Sequence, residues 1–434
     1  MADEADVSYL ASTDRRAGSK TLSRRVPAVV ALVCLVALLT TGCELRRKRV
    51  LVWHDWPEPE AEVLVELLNG YSELDPDLRL IIEYVPAEEI ESRFVDEARS
   101  GFGPDVLIGV DADRLADLAS VDVVQAISDE QSNRYGFDQL EARALEAMAI
   151  DGIQEGIPLA GSTDVLFYRD GITPPATLDA IVGLAEDGYS TGIPVDFVGA
   201  YWGVDAFGGT AFGGDGTLDP DQGFVDWMTW LVEARPQPNI VLDGDYRSLR
   251  DLFAAGRLDL FIGGSRELGL FRSALSETET EPTSSSVAPL PDVADVDFGL
   301  TTLPSVDEQL SGGFLEIEGM VVNRHTDNLD ESLALIEYLT NVPSQGRIAR
   351  SGLGRIPINE AVSIDPSISP MEAALVRQQS RSVILPRAFE ENLAELRELG
   401  DEVYLQVARG LLEPDGAATE LRERYAEIVA ASND

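Results

Sequence analysis

Between residues 49 and 110 the chain alternates strand-like and helical runs, and no other feature restricts the possible fold as strongly. "RVLVWH" (49–54) is apolar and β-rich, and "PEAEVLVELLNGYSEL" (59–74) has helical spacing behind Pro57 and Pro59. "LRLIIEYV" (78–85) is a second strand, "AEEIESRFVDEARSG" (87–101) a second helix closed by Gly101, and "DVLIGV" (105–110) a third strand. Strands separated by whole helices cannot form hairpins; they pair in parallel through crossovers, which predicts an α/β domain. In such sheets ligands bind beyond the carboxyl ends of the strands. The residues there are "HDW" after the first strand, "VPAEE" after the second and "DADR" after the third, so Asp55, Trp56 and Asp111–Arg114 are expected to face one crevice. Strand alternation puts Trp53 on the opposite side from Val52 and His54, as a core residue.

The same grammar continues to the C-terminus. "GIQEGIPLAGSTDVLFYRDGI" (152–172) reads as a turn, a short strand and another strand. An aromatic helix at "YWGVDAF" runs through a glycine-rich loop into a helix that Asp219 and Pro220 are expected to start, with Trp227 and Trp230 in its core face. "RLDLFIGGS" and "DFGLTTLPS" are further strands, and helical patterns dominate from Pro370 on. Residues 276–297 are polar and of low complexity, which suits a surface loop.

Composition excludes several classes. Asp and Glu number 77 against 33 Lys and Arg, and the two lysines are Lys20 and Lys48. A surface of net charge −44 repels phosphate backbones, so nucleic acid is not an expected partner. The cysteines are Cys34 and Cys43, leaving none for disulfides or thiolate-bound metals in the rest of the chain. With His54 and His325 the sole histidines, a His-based triad or zinc site has few possible members, and "FGGTAFGGDG" lacks the Lys of a phosphate-binding loop. No catalytic residue, metal or cofactor is therefore expected. Paired carboxylates such as Asp55 with Asp111 could serve a glycosidase, but such pairs carry little information in so acidic a chain.

Residues 24–43, "RRVPAVVALVCLVALLTTGC", place two arginines before a 14-residue apolar run, Val26–Leu39. That is short for a membrane span, which needs about 20 residues, and suits a signal peptide. The end resembles a bacterial lipobox, with Thr40 where leucine is usual. Residues 1–42 are thus expected to be a signal peptide, Cys43 the lipidated residue and 43–49 a basic tether at anionic headgroups, with the rest of the chain outside the cytoplasmic membrane.

Taken in order, "GFGPDVLIGVDADRLADLAS", "GIQEGIPLAGSTDVLFYRDGI", "LDLFIGGS", "DFGLTTLPS", "GGFLEIEGMVVN" and "EYLTNVPSQGRIARSGLGRIPIN" resemble the maltose-binding type of extracellular solute-binding protein, the receptor of an ABC sugar importer. The resemblance spans roughly 50–430. It implies a two-lobed Venus-flytrap fold, α/β in each lobe, with the ligand cleft between them. The first lobe would take 50–160 plus 303–354 and the second 161–302 plus 355–434. It implies a monomeric carrier of a small-molecule solute, a sugar above all, that docks on permease subunits. A sensory receptor of the same fold is the alternative.

Sugar sites offer aromatic faces to pyranose rings, and carboxylates and guanidinium groups to hydroxyls. By position the candidates are His54, Asp55 and Trp56; Asp111, Asp113 and Arg114; Tyr201 and Trp202; Ser265 and Arg266; and Glu316. Asp111 and Asp113 could equally cap a helix, and Tyr201 and Trp202 could be core aromatics. The family's stacking aromatics are missing from "GGSREL" and "PRAFEENLAEL", which weakens maltodextrin as the ligand. Arg266 and Arg387 would suit an anionic or non-carbohydrate solute.

Overall fold

In the computed structural model, strands β1 (Lys48–His54), β2 (Leu78–Tyr84) and β3 (Val106–Val110) occupy the three predicted runs. β1 pairs with β3 in parallel, Val52 opposite Val106 and His54 opposite Ile108. Helices Glu60–Leu74 and Ala87–Ser100 make the crossovers. The second stops where Gly101, at φ +75°, supplies the left-handed residue that bonds back to the last turn. The structure describes residues 48–58, 60–213, 217–277, 298–307 and 309–432. The leader, Cys43 and nearly all of the polar 276–297 segment lie outside them. Of the two units into which the chain divides, Met1–Lys48 and Arg49–Asp434, the second is the folded body described below.

β1 is buried on both faces: Val50, Val52 and His54 are as hidden as Trp53. A parallel sheet carries helices on each side, so alternation within its strands does not separate core from solvent. The Arg93 guanidinium covers the Trp53 ring at 4.5 Å.

After a small hairpin of β4 (Ala149–Ile150) and β5 (Ile153–Gln154), the region read as two short strands is one of thirteen residues, β6 (Ile157–Arg169). The remaining strands are β7 (Thr191–Pro194), β8 (Ile240–Asp243), β9 (Leu260–Gly264), β10 (Phe298–Thr301), β11 (Leu315–Val322) and β12 (Ile356–Pro357). They form the order β2-β1-β3-β11-β6-β9-β7-β8, with β10 and β12 also on β6. β6 pairs with β11 up to Thr163 and with β9 from Asp164 onward. The polar Gly161–Asp164 stretch fails to end the strand because the hydrogen-bond ladder passes to a new partner there.

Three apolar cores follow. The first packs β1, β3, the early part of β6 and β11 against Leu64, Phe94, Leu333 and Ile336. Beyond the exchange of partners, strand alternation sends Leu166 to a second core with Trp202, Trp227 and Tyr404. Val165 and Phe167 enter a third with Phe253, Phe261 and Phe271. Trp227 and Trp230 are core residues, stacked at 5.2 Å. Their helix, Gln222–Ala234, starts later than predicted. Asp221 is the cap, accepting from the N–H groups of Gly223 and Phe224, while Asp219 is drawn off by Arg422 at 2.9 Å. The result is a two-lobed α/β fold in which β6, paired with β11, β9, β10 and β12, is the most connected strand. No helix among the described residues is long and apolar enough to cross a membrane.

Candidate functional site

Where β6 and β11 pair there is a cavity of about 910 Å³. Its floor is Ala160–Ser162 of β6 and Phe314–Glu318, which includes the start of β11. The carboxyl ends of β1 and β3 and the residues just past them contribute Asp55, Gly109 and Asp111–Arg114, and the loops after β7 and β9 contribute Phe197, Val198 and Arg266. The segment Val383–Arg387 closes one side, held by Arg143 on the carbonyls of Ser382 (2.6 Å) and Gln379 (3.1 Å) and by Arg387 on that of Ala147 (3.1 Å).

Asp55 leaves the end of β1 and meets Arg114 Nη1 at 2.6 Å; the same nitrogen donates to the Gly109 carbonyl at 2.7 Å. Burial pushes the Asp55 carboxyl above the usual carboxylate range and the Arg114 guanidinium pulls it back. Gly109 is required for this geometry: its φ is +100°, and a Cβ there would collide with Asp55 Oδ1. Asp111 caps helix Ala112–Ser120, accepting from Arg114 N at 2.9 Å, and also lines the cavity. Burial, then the nearby Asp111, push the Asp113 carboxyl up. Glu316 stands out from β11 with Ser162 Oγ donating to it at 3.3 Å.

Five of the expected residues lie behind the wall instead. His54, 2 % exposed, ends the sheet-buried β1 with its ring tilted against Tyr84 at 5.8 Å, and burial lowers its pKa. Trp56 is 1 % exposed because Arg355 stacks on its ring at 3.6 Å while its Nε1 donates to Glu318. Tyr201 packs on the back of Phe314 at 4.3 Å, and Trp202 on Trp227 at 5.0 Å. Ser265 ties two loops together, its Oγ donating to the Gly354 carbonyl at 2.7 Å and accepting from Thr163 N at 3.4 Å.

The structure brings in residues that the sequence reading passed over. Glu318 was legible: it lies two residues beyond Glu316 on one strand, so both point the same way. Burial works against its charge, but the Arg355 and Arg266 guanidinium groups outweigh this and hold its carboxyl below the usual range. Arg355, which follows the glycine turn at Gly354, carried no comparable signal. Arg143, Phe197, Phe314 and Arg397 also reach the wall.

A second cavity of about 420 Å³ shares Ser162, Val198, Arg266, Phe314 and Glu316 with the first. Asp164 lines it, its carboxyl pushed well up by burial and then by Glu316 and Asp196. A folded-state pKa above the unfolded value contributes stability that is full at low pH and lost as pH rises through the folded pKa. Asp164→Asn is therefore expected to melt higher than the parent at pH 8 and alongside it at pH 4. Parallel melting curves at every pH would refute this assignment.

Comparison with known proteins agrees with the architecture. The family model of the bacterial extracellular solute-binding protein matches residues 56–346, more than half of the chain. The maltotriose-binding protein of Pyrococcus abyssi (strain GE5 / Orsay) is 23% identical over 347 residues, covering 76% of this chain and 70% of that one. Among solved structures, the GacH receptor of Streptomyces glaucescens GLA.O, studied unliganded and with acarbose, superposes with a TM-score of 0.66 at 17% identity over 88% of this chain and 98% of the other. The maltose/maltodextrin-binding domain of Bdellovibrio bacteriovorus, bound to maltotriose, gives 0.64 at 20% identity over 88% and 100%. At these identities the two structures speak for the fold alone, and the family match rests on the sequence: the chain belongs to the family of bacterial extracellular solute-binding proteins.

Proposed function

We propose that the protein is the substrate-binding lipoprotein of an ABC importer, which captures a sugar or oligosaccharide outside the cytoplasmic membrane and delivers it to the permease. The observation that carries this reading is the cavity: both lobes wall it, and its rim alternates carboxylates with guanidinium groups, the donors and acceptors that hydroxyl-rich ligands need. The maltotriose-binding relative supports the sugar class. Asp55, Asp111, Asp113, Arg114, Arg266 and Glu316 are the proposed ligand contacts. His54, Trp56, Tyr201, Trp202 and Ser265 act from behind the wall by holding those contacts in place. We take the lobe divides to lie near Ala160, Leu303 and Gly354, with ligand favouring the closed arrangement because both lobes then touch it.

Cys43 is the proposed lipid attachment point, the protein acts as a monomer, and it returns its ligand unchanged. Titration calorimetry of the purified protein with mono- and oligosaccharides in high salt tests the function. Saturable micromolar binding of a neutral sugar is expected, lowered roughly 10- to 100-fold by Asp55→Ala. Mass spectrometry should recover the sugar intact. Silence toward every neutral sugar, with binding of acidic solutes, would replace the sugar reading with the anionic one.

A further inference from the structure

At the cleft floor four charged groups meet, of which Glu318, Arg355 and Arg266 line the cavity and Glu60 does not. Arg355, 1 % exposed, donates from Nη1 to Glu318 Oε2 and from Nη2 to Glu60 Oε2, the latter at 2.6 Å. Glu60 opens helix Glu60–Leu74 of the first lobe; Glu318 is on β11 and Arg355 directly precedes β12, strands that we take to join the lobes. These three sum to one negative charge. The fourth group comes from the second lobe: Arg266, just past β9, whose Nη2 lies 3.6 Å from Glu318 Oε2 and 4.0 Å from Glu60 Oε2. Those separations exceed a good charge-assisted hydrogen bond, so Arg266 is held there chiefly by Coulomb attraction. An uncompensated charge in a largely buried setting is unfavourable, and Arg266 removes it only while the second lobe stays close to the first.

We propose that Glu60, which does not line the cleft, is a positioning residue for ligand capture: with Glu318 and Arg355 it forms an anionic seat that draws Arg266, and with it the second lobe, toward the first. The proposal rests on the sugar-binding reading for its link to affinity, but the clasp itself is a property of the ligand-free protein.

The test uses Glu60→Gln, which keeps an acceptor for Arg355 and removes the charge, with Arg266→Gln, the double variant and Glu60→Asp. Radius of gyration of the ligand-free protein is read by X-ray scattering across a salt series, and affinity for maltotriose by calorimetry. Glu60→Gln should expand the ligand-free protein at low salt, erase much of the parent's expansion with added salt, and weaken maltotriose roughly 5- to 20-fold. In the Arg266→Gln background it should do almost nothing, and Glu60→Asp should retain most of the parent behaviour. A Glu60→Gln effect of equal size with and without Arg266, or a radius that ignores both salt and Glu60, overturns the clasp. If the parent binds no sugar while its radius follows the expected pattern, the clasp stands and the sugar reading falls.

Discussion

Replacing Arg355 with methionine, close in volume and without charge, is expected to destabilise the protein by about 3–5 kcal/mol, the usual effect of breaking a buried charge network from one side. The reason is what remains. Glu318 at the cleft floor and Glu60 behind it would keep their places with their shared guanidinium gone, and Trp56 would lose the cation stacked 3.6 Å from its ring. Arg266 is too far from both carboxylates to take over without moving. Urea unfolding read by tryptophan fluorescence measures the loss. Adding Glu60→Gln and Glu318→Gln to Arg355→Met should recover a large part of it, since the deficit lies in the stranded carboxylates rather than in the missing arginine. A single-variant loss below about 1 kcal/mol, the range of a surface pair, would mean that water reaches these groups.

Gly109→Ala is the second large effect, and it joins backbone conformation to the ligand wall. At φ +100° an alanine is strained by about 1–3 kcal/mol before any contact is counted. Its methyl would also stand on Asp55 Oδ1, and Asp55 cannot swing aside freely because Arg114 holds it at 2.6 Å. The expected outcome is a lower melting temperature together with weaker ligand binding, as Asp55 is forced off Arg114. Adding Asp55→Ala to Gly109→Ala removes the clash but not the strain. The double variant should therefore be more stable than the two separate losses predict. Strict additivity of the melting shifts would show that the backbone strain acts alone.

The residues at the strand ends show how far the sequence could be read. Asp55 and Arg114 were legible because a parallel sheet directs ligands to the carboxyl ends of its strands, and both lie just past such ends. His54 and Trp56 share that stretch, yet both are sealed. Local pattern locates a loop; it does not say which of its side chains turn back under the sheet. Tyr201 and Trp202 carry the same ambiguity. Large aromatics suit sugar stacking and core packing alike, and Phe314 and Trp227, distant in sequence, decide for the core.

The long β6 strand was missed for a related reason. Its Gly–Ser–Thr–Asp centre reads as a break in any local window, and it continues because β11 and β9 meet it end to end. Apolar periodicity, punctuated by Gly101 and by proline and aspartate at helix starts, determined the alternating elements and through them the α/β class, because each element must bury one face whatever it packs against. The excess of Asp and Glu over Lys and Arg set the net charge of −44 whatever the fold. Only the tertiary structure decided which side chains became wall and which became core, and that Glu60, Glu318, Arg355 and Arg266 share one charge balance. Contacts between residues up to about 295 positions apart, such as Arg355 with Glu60, leave no trace in local spacing, and the low-dielectric setting that gives them their strength exists only once both lobes are folded.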